Sequence, residues 1–79
     1  MSLKVKLFLF GQKDKDFQWI SVGEGSNNLK SFLKDLTHQR SVKFIQDGCV
    51  VIINGQLITE DRVLLEGDEI KIFPMLHGG

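Results

Sequence analysis

Several features that specialised proteins depend on are scarce in this chain, which has one cysteine, one proline and no tyrosine. A single cysteine excludes an intramolecular disulfide framework, a multi-cysteine zinc site and an iron–sulfur cluster held by four thiolates. Ten Lys and Arg residues are balanced by ten Asp and Glu residues, so the formal net charge is zero. Nucleic-acid binding usually needs a basic surplus, and we therefore predict no nucleic-acid partner.

Long apolar segments are also missing, since no apolar run exceeds five residues. A membrane helix needs about 20 apolar residues, and the first residues lack the apolar core of a secretory signal. We therefore predict no membrane partner and a cytoplasmic location. With 79 residues, 42% of them hydrophobic and 25% charged, the composition is typical of one small folded domain.

Two strands are predicted at the start of the chain. In residues 3–10, leucine and valine alternate with lysine, and this period of two is typical of a half-buried strand. The side that carries the lysines continues with phenylalanine at positions 8 and 10. The polar segment 11–16 begins with glycine, as a hairpin loop often does, and residues 17–22 form the predicted return strand. The alternation places Leu3, Val5, Leu7 and Leu9 on the core face, and Lys4, Lys6, Phe8 and Phe10 on the opposite face.

One amphipathic helix is predicted to follow. Its apolar stripe has the i, i+3, i+4, i+7 spacing of a helix face and consists of Leu29, Phe32, Leu33 and Leu36. We expect a side-chain oxygen of Ser26, Asn27 or Asn28 to cap the exposed N–H groups at the start of this helix.

The second half of the chain contains three further predicted strands. The β-branched run 49–53 is typical of a buried strand, and the Asn-Gly pair that follows it favours a two-residue hairpin turn into a short strand at 56–58. Residues 59–65 are expected to be irregular or to form one helical turn. The last strand is predicted at 69–73, ending before Pro74 because proline has no N–H to donate.

This order of elements predicts an α+β domain, in which a mixed sheet of four or five strands packs on one main helix. It favours a β-grasp arrangement with the first and last strands central and parallel. A ferredoxin-like fold needs a second long helix, and residues 59–65 are too few to form one. We predict a β-grasp domain at residues 1–73 and a flexible C-terminal tail at residues 74–79.

No catalytic constellation is found in the predicted domain. His38 lies near the end of the helix and Cys49 leads an apolar strand, where such residues are usually structural. Trp19 is interpreted as ordinary packing, and Asn54-Gly55 as a turn with no further role. The carboxylates lie on separate turns, with no pair suited to acid–base catalysis. We therefore predict that the chain is not an enzyme by itself and that it binds no cofactor and no metal.

The tail has a different character, because it ends in two glycines six residues after the last strand. A free terminal carboxylate can be activated as an acyl-adenylate in another protein's active site, and six extended residues reach about 20 Å. Glycines pass a narrow channel because they lack Cβ. One interpretation is that Gly79 carries the chemistry while Gly78 and His77 thread the channel, and the alternative from composition alone is a frayed chain end with no role.

Three motifs give the chain a resemblance to a known family. They are Val-Ile-Ile-Asn-Gly at 51–55, Leu-Glu-Gly-Asp-Glu-Ile-Lys-Ile-Phe-Pro at 65–74 and Gly-Gly at 78–79. In this order and spacing, the chain resembles the MoaD/ThiS family of sulfur carriers, which are relatives of ubiquitin. The Phe-Pro step resembles the small subunit of molybdopterin synthase more than the thiamine-pathway carrier, whereas Met-Leu-His at 75–77 matches neither.

The resemblance implies that this chain is a carrier in a mechanism performed by other proteins. An adenylyltransferase of the ubiquitin-activating type would adenylate the Gly79 carboxylate, using its own ATP and magnesium. A sulfurtransferase would then supply the sulfur that makes a thiocarboxylate. The sulfur would be delivered inside a synthase large subunit or a thiazole synthase.

Four functions stay open at this point. The first is a sulfur carrier for molybdopterin or the related tungsten cofactor, and the second is a carrier for thiamine thiazole or another sulfur metabolite. The third is a ubiquitin-like modifier that is joined to lysines, since an adenylate can also be passed to an amine. The fourth is a β-grasp binding module whose Gly-Gly end is incidental.

A docking surface is predicted on the sheet face opposite the helix, close to the start of the tail. Exposed apolar clusters on small proteins often mark partner sites, and the alternative is that loops of this chain cover these aromatic residues. If the first and last strands are neighbours, Phe8 or Phe10 lies near Phe73, and Ile52 joins them if the residues on either side of it point inward. The residues assigned to partner binding are Phe8, Phe10, Ile52, Phe73 and Leu76.

Overall fold

The elements of the fold follow the predicted order of two strands, a helix and three strands. The computed structural model describes residues 3–11, 17–23, 25, 27–40, 45 and 48–75. The elements are β1 (Leu3–Leu9), β2 (Gln18–Val22), α1 (Leu29–Arg40), β3 (Cys49–Ile53), β4 (Gln56–Ile58) and β5 (Glu69–Pro74). Within the described ranges, no helix is long and apolar enough to cross a membrane.

The strands form one mixed sheet in the order β2-β1-β5-β3-β4. The central strands β1 and β5 are parallel, whereas the β1–β2, β3–β4 and β3–β5 pairings are antiparallel. The predicted β-grasp arrangement, with the first and last strands as neighbours, is therefore confirmed. The register sets Phe8 opposite Lys71 and Leu9 opposite Ile72, which determines the side chains that share each face.

The core lies between the sheet and one side of α1. Val5 and Leu7 are fully buried and Leu9 is 6% exposed, so the predicted core face of β1 is confirmed. The helix contributes the predicted stripe, of which Leu29, Phe32 and Leu36 are buried and Leu33 is partly buried. Each fully buried side chain of this size contributes about 1.5–3 kcal/mol, and this burial holds the helix against the sheet.

The start of α1 is capped by a residue from a distant loop. Asp61 accepts a hydrogen bond from the Lys30 N–H at 2.8 Å and another from the Asn28 side-chain amide at 2.8 Å. The prediction of a local cap is wrong for Asn28, whose side chain donates to Asp61, and Ser26 lies outside the described residues. The hydrogen bond from Lys30, followed by that from Asn28, lowers the pKa of Asp61 from its ordinary value of 3.8.

We expect Asp61→Ala to lower the midpoint of thermal unfolding at neutral pH, because it leaves the Lys30 N–H in the first turn of α1 without this acceptor. A carboxylate whose pKa is lowered on folding stabilises the folded state above its unfolded pKa, and this contribution is lost as the pH falls through the folded pKa. Circular-dichroism melts should therefore separate the wild-type protein and Asp61→Ala at pH 7 and bring them together in strong acid.

The neighbouring exposed carboxylate provides the control for this prediction. Glu60→Ala removes one negative charge from the same loop without removing a hydrogen bond to the helix, so we expect its melting temperature to stay near that of the wild type. An Asp61→Ala deficit of the same size at every pH would contradict the assignment of Asp61 as a charged cap.

The end of β5 differs from the prediction. The strand includes Pro74, which pairs with Cys49, and the predicted end at residue 73 is therefore wrong. Pairing between β5 and β1 stops at Ile72, so the N–H that proline lacks is not required at that position. Pairing continues to Met75, whose N–H donates to the Gly48 carbonyl at 3.3 Å. The folded body thus extends beyond the predicted boundary between residues 73 and 74.

Two other local predictions need correction, and a third is confirmed. β1 ends before Phe10, which lies in a turn, and β2 begins one residue after Phe17. Residues 59–65 are irregular, which is the first of the two predicted alternatives, and an isolated bridge pairs Val63 with Asn28 beside the start of α1. This segment therefore connects β4 to β5 and passes beside the start of α1.

A buried carboxylate connects this segment to the hairpin turn between β3 and β4. Asp68 is 5% exposed and accepts hydrogen bonds from Asn54 Nδ2 at 2.9 Å and from the Leu65 N–H at 2.9 Å. The Arg62 guanidinium lies 3.4 Å from the same carboxylate. Asn54 Oδ1 accepts a hydrogen bond from the Glu69 N–H at 3.0 Å, which completes the link to the first residue of β5.

The hairpin turn itself has the backbone that its sequence predicts. Asn54 and Gly55 have φ values of 51° and 81°, and two successive positive φ values are characteristic of a type I′ turn. The prediction that these residues have no further role is wrong, because the Asn54 side chain also ties the turn to Asp68 and Glu69.

Candidate functional site

Four aromatic rings lie together on the open face, which is the sheet face that points away from α1. We refer to Phe8, Phe10, Phe17 and Phe73 as the aromatic patch. The Phe73 ring centroid lies 6.0 Å from that of Phe8 and 6.4 Å from that of Phe10, while Phe8 and Phe17 meet edge-on at 6.2 Å. The prediction that Phe8 and Phe10 lie near Phe73 is confirmed.

The register of the central strands produces this patch. Side chains alternate between the two faces of a strand, so burial of Ile70 and Ile72 on β5 leaves Phe73 on the open face. On β3, Val51 is 4% and Ile53 is 1% exposed, which places Ile52 on the open face as predicted. Ile52 lies opposite Lys71, and it therefore borders the patch across β5.

The open face exposes more apolar surface than the sequence indicated. Phe10 is 54% exposed, Leu57 opposite Ile52 is 63% exposed, and Trp19 is 59% exposed. The interpretation of Trp19 as ordinary packing is wrong, because the Lys6 ammonium lies 5.3 Å from its ring centroid on the exposed side of the sheet. Exposed apolar surface of this extent is typical of a site that another molecule covers.

Two lysines lie among these rings in different electrostatic surroundings. Lys6 forms an ion pair with Glu69 at 3.6 Å on the neighbouring strand. Lys71 is one row closer to the tail, and its Nζ atom lies 5.8 Å from the Phe17 ring centroid. Among the described residues, the open face therefore contains a row whose lysine is paired with a carboxylate, next to a row that contains one positive charge.

Cys49 has the surroundings of a structural residue. It is partly buried and packs against the core, and this burial raises the pKa of its thiol. A raised pKa keeps the thiol protonated, whereas reactive cysteines need a stabilised thiolate. Across the described residues, no three His, Cys, Asp or Glu side chains are grouped to hold a metal ion.

The tail residues that carry the predicted chemistry lie outside the described residues. They are Leu76, His77, Gly78 and Gly79, and their assigned roles stay predictions. The described chain reaches Met75, which is 47% exposed and directly follows β5. Because Phe73 is two residues earlier in this strand, the aromatic patch adjoins the start of the tail.

Sequence reasoning missed Phe17, Trp19 and Val50 as members of the open face. Trp19 lies opposite Lys6, and Val50 lies opposite Phe73. Alternation within residues 17–22 separates two sets of side chains but does not identify the buried set. The β1–β2 register supplies that information. The sequence does not specify this register, because it leaves the length of the loop between the two strands uncertain.

Comparison with protein families gives a match over most of the chain. The model of the ThiS family matches residues 15–79, a range that contains β2 to β5 and the terminal Gly78-Gly79. A comparison with curated protein sequences found no match.

Several solved structures share the fold. A chain in the complex of subunits 1 and 2 of the molybdopterin-converting factor from Helicobacter pylori 26695 has a TM-score of 0.68 and 26% identity, with 98% of this chain and 100% of that chain covered. The N-terminal ubiquitin-like domain in the 4931431F19Rik protein has a TM-score of 0.66 and 19% identity, with 99% and 79% covered. Caldiarchaeum subterraneum ubiquitin has a TM-score of 0.66 and 12% identity, with 100% of both chains covered. The last two similarities concern the fold alone.

Proposed function

Because this chain belongs to the ThiS family of ubiquitin-like sulfur carriers, we propose that its Gly79 carries sulfur as a thiocarboxylate for the biosynthesis of molybdopterin or its tungsten analogue. The observation that supports this most directly is the family match, which extends through Gly78-Gly79. The choice of pathway is supported by the 26% identity to a chain of the molybdopterin-converting factor complex and by the Phe73-Pro74 step.

The proposed chemistry takes place at the Gly79 carboxylate. Attack of this carboxylate on the α-phosphate of ATP, with magnesium held by the adenylyltransferase, forms an acyl-adenylate and releases pyrophosphate. A sulfurtransferase persulfide then attacks the acyl carbon and AMP leaves, after which a thiol cleaves the acyl disulfide to give the thiocarboxylate. This chain supplies the acyl group and the surface by which each partner holds it.

The aromatic patch is proposed as the docking surface for these partners. Covering it removes apolar surface from water directly beside the strand that leads into the tail, and positions the tail for reaction. The proposed partners are the adenylyltransferase, the sulfurtransferase and a synthase large subunit. A synthase partner is supported by the two-subunit complex that contains the similar H. pylori chain.

A second candidate function is a sulfur carrier for thiamine thiazole, with a thiazole synthase as the receiving partner. The match to the ThiS family model favours it. Deletion of the gene separates the two pathways, since loss of molybdenum-enzyme activity supports the first function and a requirement for thiamine supports the second.

Intact-mass analysis of the protein purified from its natural host tests the proposed chemistry. A species in which one terminal oxygen is replaced by sulfur identifies a carrier and also identifies the terminal residue. Lysine-linked Gly-Gly remnants on other proteins identify a modifier. A protein that carries neither mark when its pathway is active contradicts the proposal.

We expect Gly78→Val to reduce adenylation by at least about a hundredfold without changing the melting temperature. A β-branched side chain adds bulk and restricts the backbone where the tail is proposed to thread a narrow channel. Pyrophosphate release with the purified adenylyltransferase measures the effect, and Gly78→Ala is the graded control with a smaller expected loss. Near-normal turnover of Gly78→Val would indicate that no narrow channel exists.

A further inference from the structure

Lys71 lies at the centre of the open face with apolar side chains on both sides. Its neighbours across the sheet are Phe8 on β1 and Ile52 on β3. The Phe17 ring lies beneath its ammonium group at 5.8 Å, and the side chain is partly buried. In the part of the chain that the structure describes, no carboxylate forms an ion pair with Lys71.

The row next to it shows how the fold neutralises a lysine on this face. Lys6 lies opposite Glu69 in the register, and their charged groups approach to 3.6 Å. This places the carboxylate nearest to Lys71 along β5 in a pair with another lysine. Counted over the residues that the structure describes, the two rows differ by one positive charge, which belongs to Lys71.

A partner that covers the aromatic patch also covers Lys71, because Phe8 and Phe73 are its immediate neighbours across and along the sheet. Removing an ammonium group from water without a charged or hydrogen-bonding partner is strongly unfavourable. A cation–π contact with one ring compensates for only a small part of that cost. A tightly bound partner must therefore supply a hydrogen-bond acceptor at this position, and a carboxylate both accepts from the ammonium group and neutralises its charge.

We infer that the protein partner of the open face carries an Asp or Glu carboxylate opposite Lys71, and that this pair selects the partner while the aromatic patch supplies most of the affinity. The inference rests on the proposed function, since it concerns the docking of the adenylyltransferase. Lys71 is thus a specificity determinant for that docking step.

Binding to the purified adenylyltransferase of the same organism tests the inference. We expect Lys71→Met to bind about tenfold more weakly and Lys71→Glu about a hundredfold or more, because the first leaves a carboxylate unpaired and the second sets two carboxylates together. Lys34→Glu makes the same change in net charge at an exposed position of α1 and should bind within about twofold of the wild type. The gap between wild type and Lys71→Met should narrow as salt is raised.

The outcomes separate the inference from the function on which it rests. Normal adenylation of the wild type together with undiminished binding of Lys71→Glu would overturn the inference alone. Equal losses for Lys71→Glu and Lys34→Glu would do the same, because they would indicate a general charge effect. A wild-type protein that neither binds nor is adenylated would overturn both. Circular-dichroism melts of each variant identify any loss of binding that arises from unfolding. If Lys71→Glu does not fold, the binding of Lys71→Met still tests the inference.

Discussion

Deletion of Gly79 is expected to abolish sulfur loading while leaving the melting temperature unchanged. The deletion withdraws the carboxylate by one residue, about 3.3–3.6 Å, from a nucleotide that must be within attack distance, and misplacement of about 1 Å can already cost a hundredfold in rate. The core is formed by residues between Val5 and Ile72, so folding should be unaffected. Intact-mass analysis after incubation with ATP, magnesium, the adenylyltransferase and the sulfurtransferase measures the result.

A matched control moves the carboxylate in the opposite direction. Adding one glycine after Gly79 keeps every native residue and should also abolish loading. The longer tail still reaches the nucleotide, but its terminal carboxylate lies one residue beyond the position required for attack. If the truncated protein acquires sulfur on Gly78, the reaction does not depend on position and the role assigned to Gly79 is wrong.

The second large effect is expected at the aromatic patch. We predict that Phe73→Ala and Phe8→Ala each weaken binding to the adenylyltransferase or synthase by at least about 2 kcal/mol, roughly thirtyfold. Phe73 lies about equally far from Phe8 and Phe10, at 6.0 and 6.4 Å, so its removal opens the centre of the patch. Isothermal titration with each purified partner measures the loss.

Two controls distinguish a docking role from a folding role. Ile72 is fully buried beside Phe73, and Ile72→Ala should reduce the free energy of unfolding by about 2–5 kcal/mol, much more than Phe73→Ala. Val63 is 56% exposed outside the sheet, and Val63→Ala should leave affinity unchanged. Unchanged affinity in both phenylalanine variants, or losses that follow unfolding alone, would contradict the assignment of this surface.

Short-range periodicity was sufficient to predict most of the fold. Alternation in β1 separated Val5 and Leu7 from Phe8 correctly, because a strand has only two faces and lysine marked the polar one. The proximity of Phe8 to Phe73 then followed from placing the first and last strands side by side. Each of these predictions depends on residues whose relative positions are set by the geometry of the strand backbone.

The remaining features depend on contacts between residues far apart in sequence. The Asp61 carboxylate caps α1 through the N–H of Lys30, which lies 31 positions earlier, and nothing near Leu29 indicates such an acceptor. The exposure of Trp19 depends on the β1–β2 register, which the intervening loop does not specify. Local sequence chemistry predicts neither contact.

The Asn54–Asp68 contact gives two of the three motifs a structural role. Asn54 lies in the first motif and Asp68 in the second, and their side chains hydrogen-bond at 2.9 Å. The segments that carry much of the family resemblance are thus explained by the joining of a hairpin to the start of β5.

The position of β5 has a mechanical consequence for a protein that is held by its tail. Tension applied beyond Met75 enters the domain through a strand bonded on one side to β1 and on the other to β3. The ladder hydrogen bonds lie across the direction of that tension, so they are loaded together in shear and cannot open one after another from the end. The anchor of Asp68 and Asn54 lies at the far end of the same strand. A pull on the tail is therefore resisted by both neighbouring strands at once.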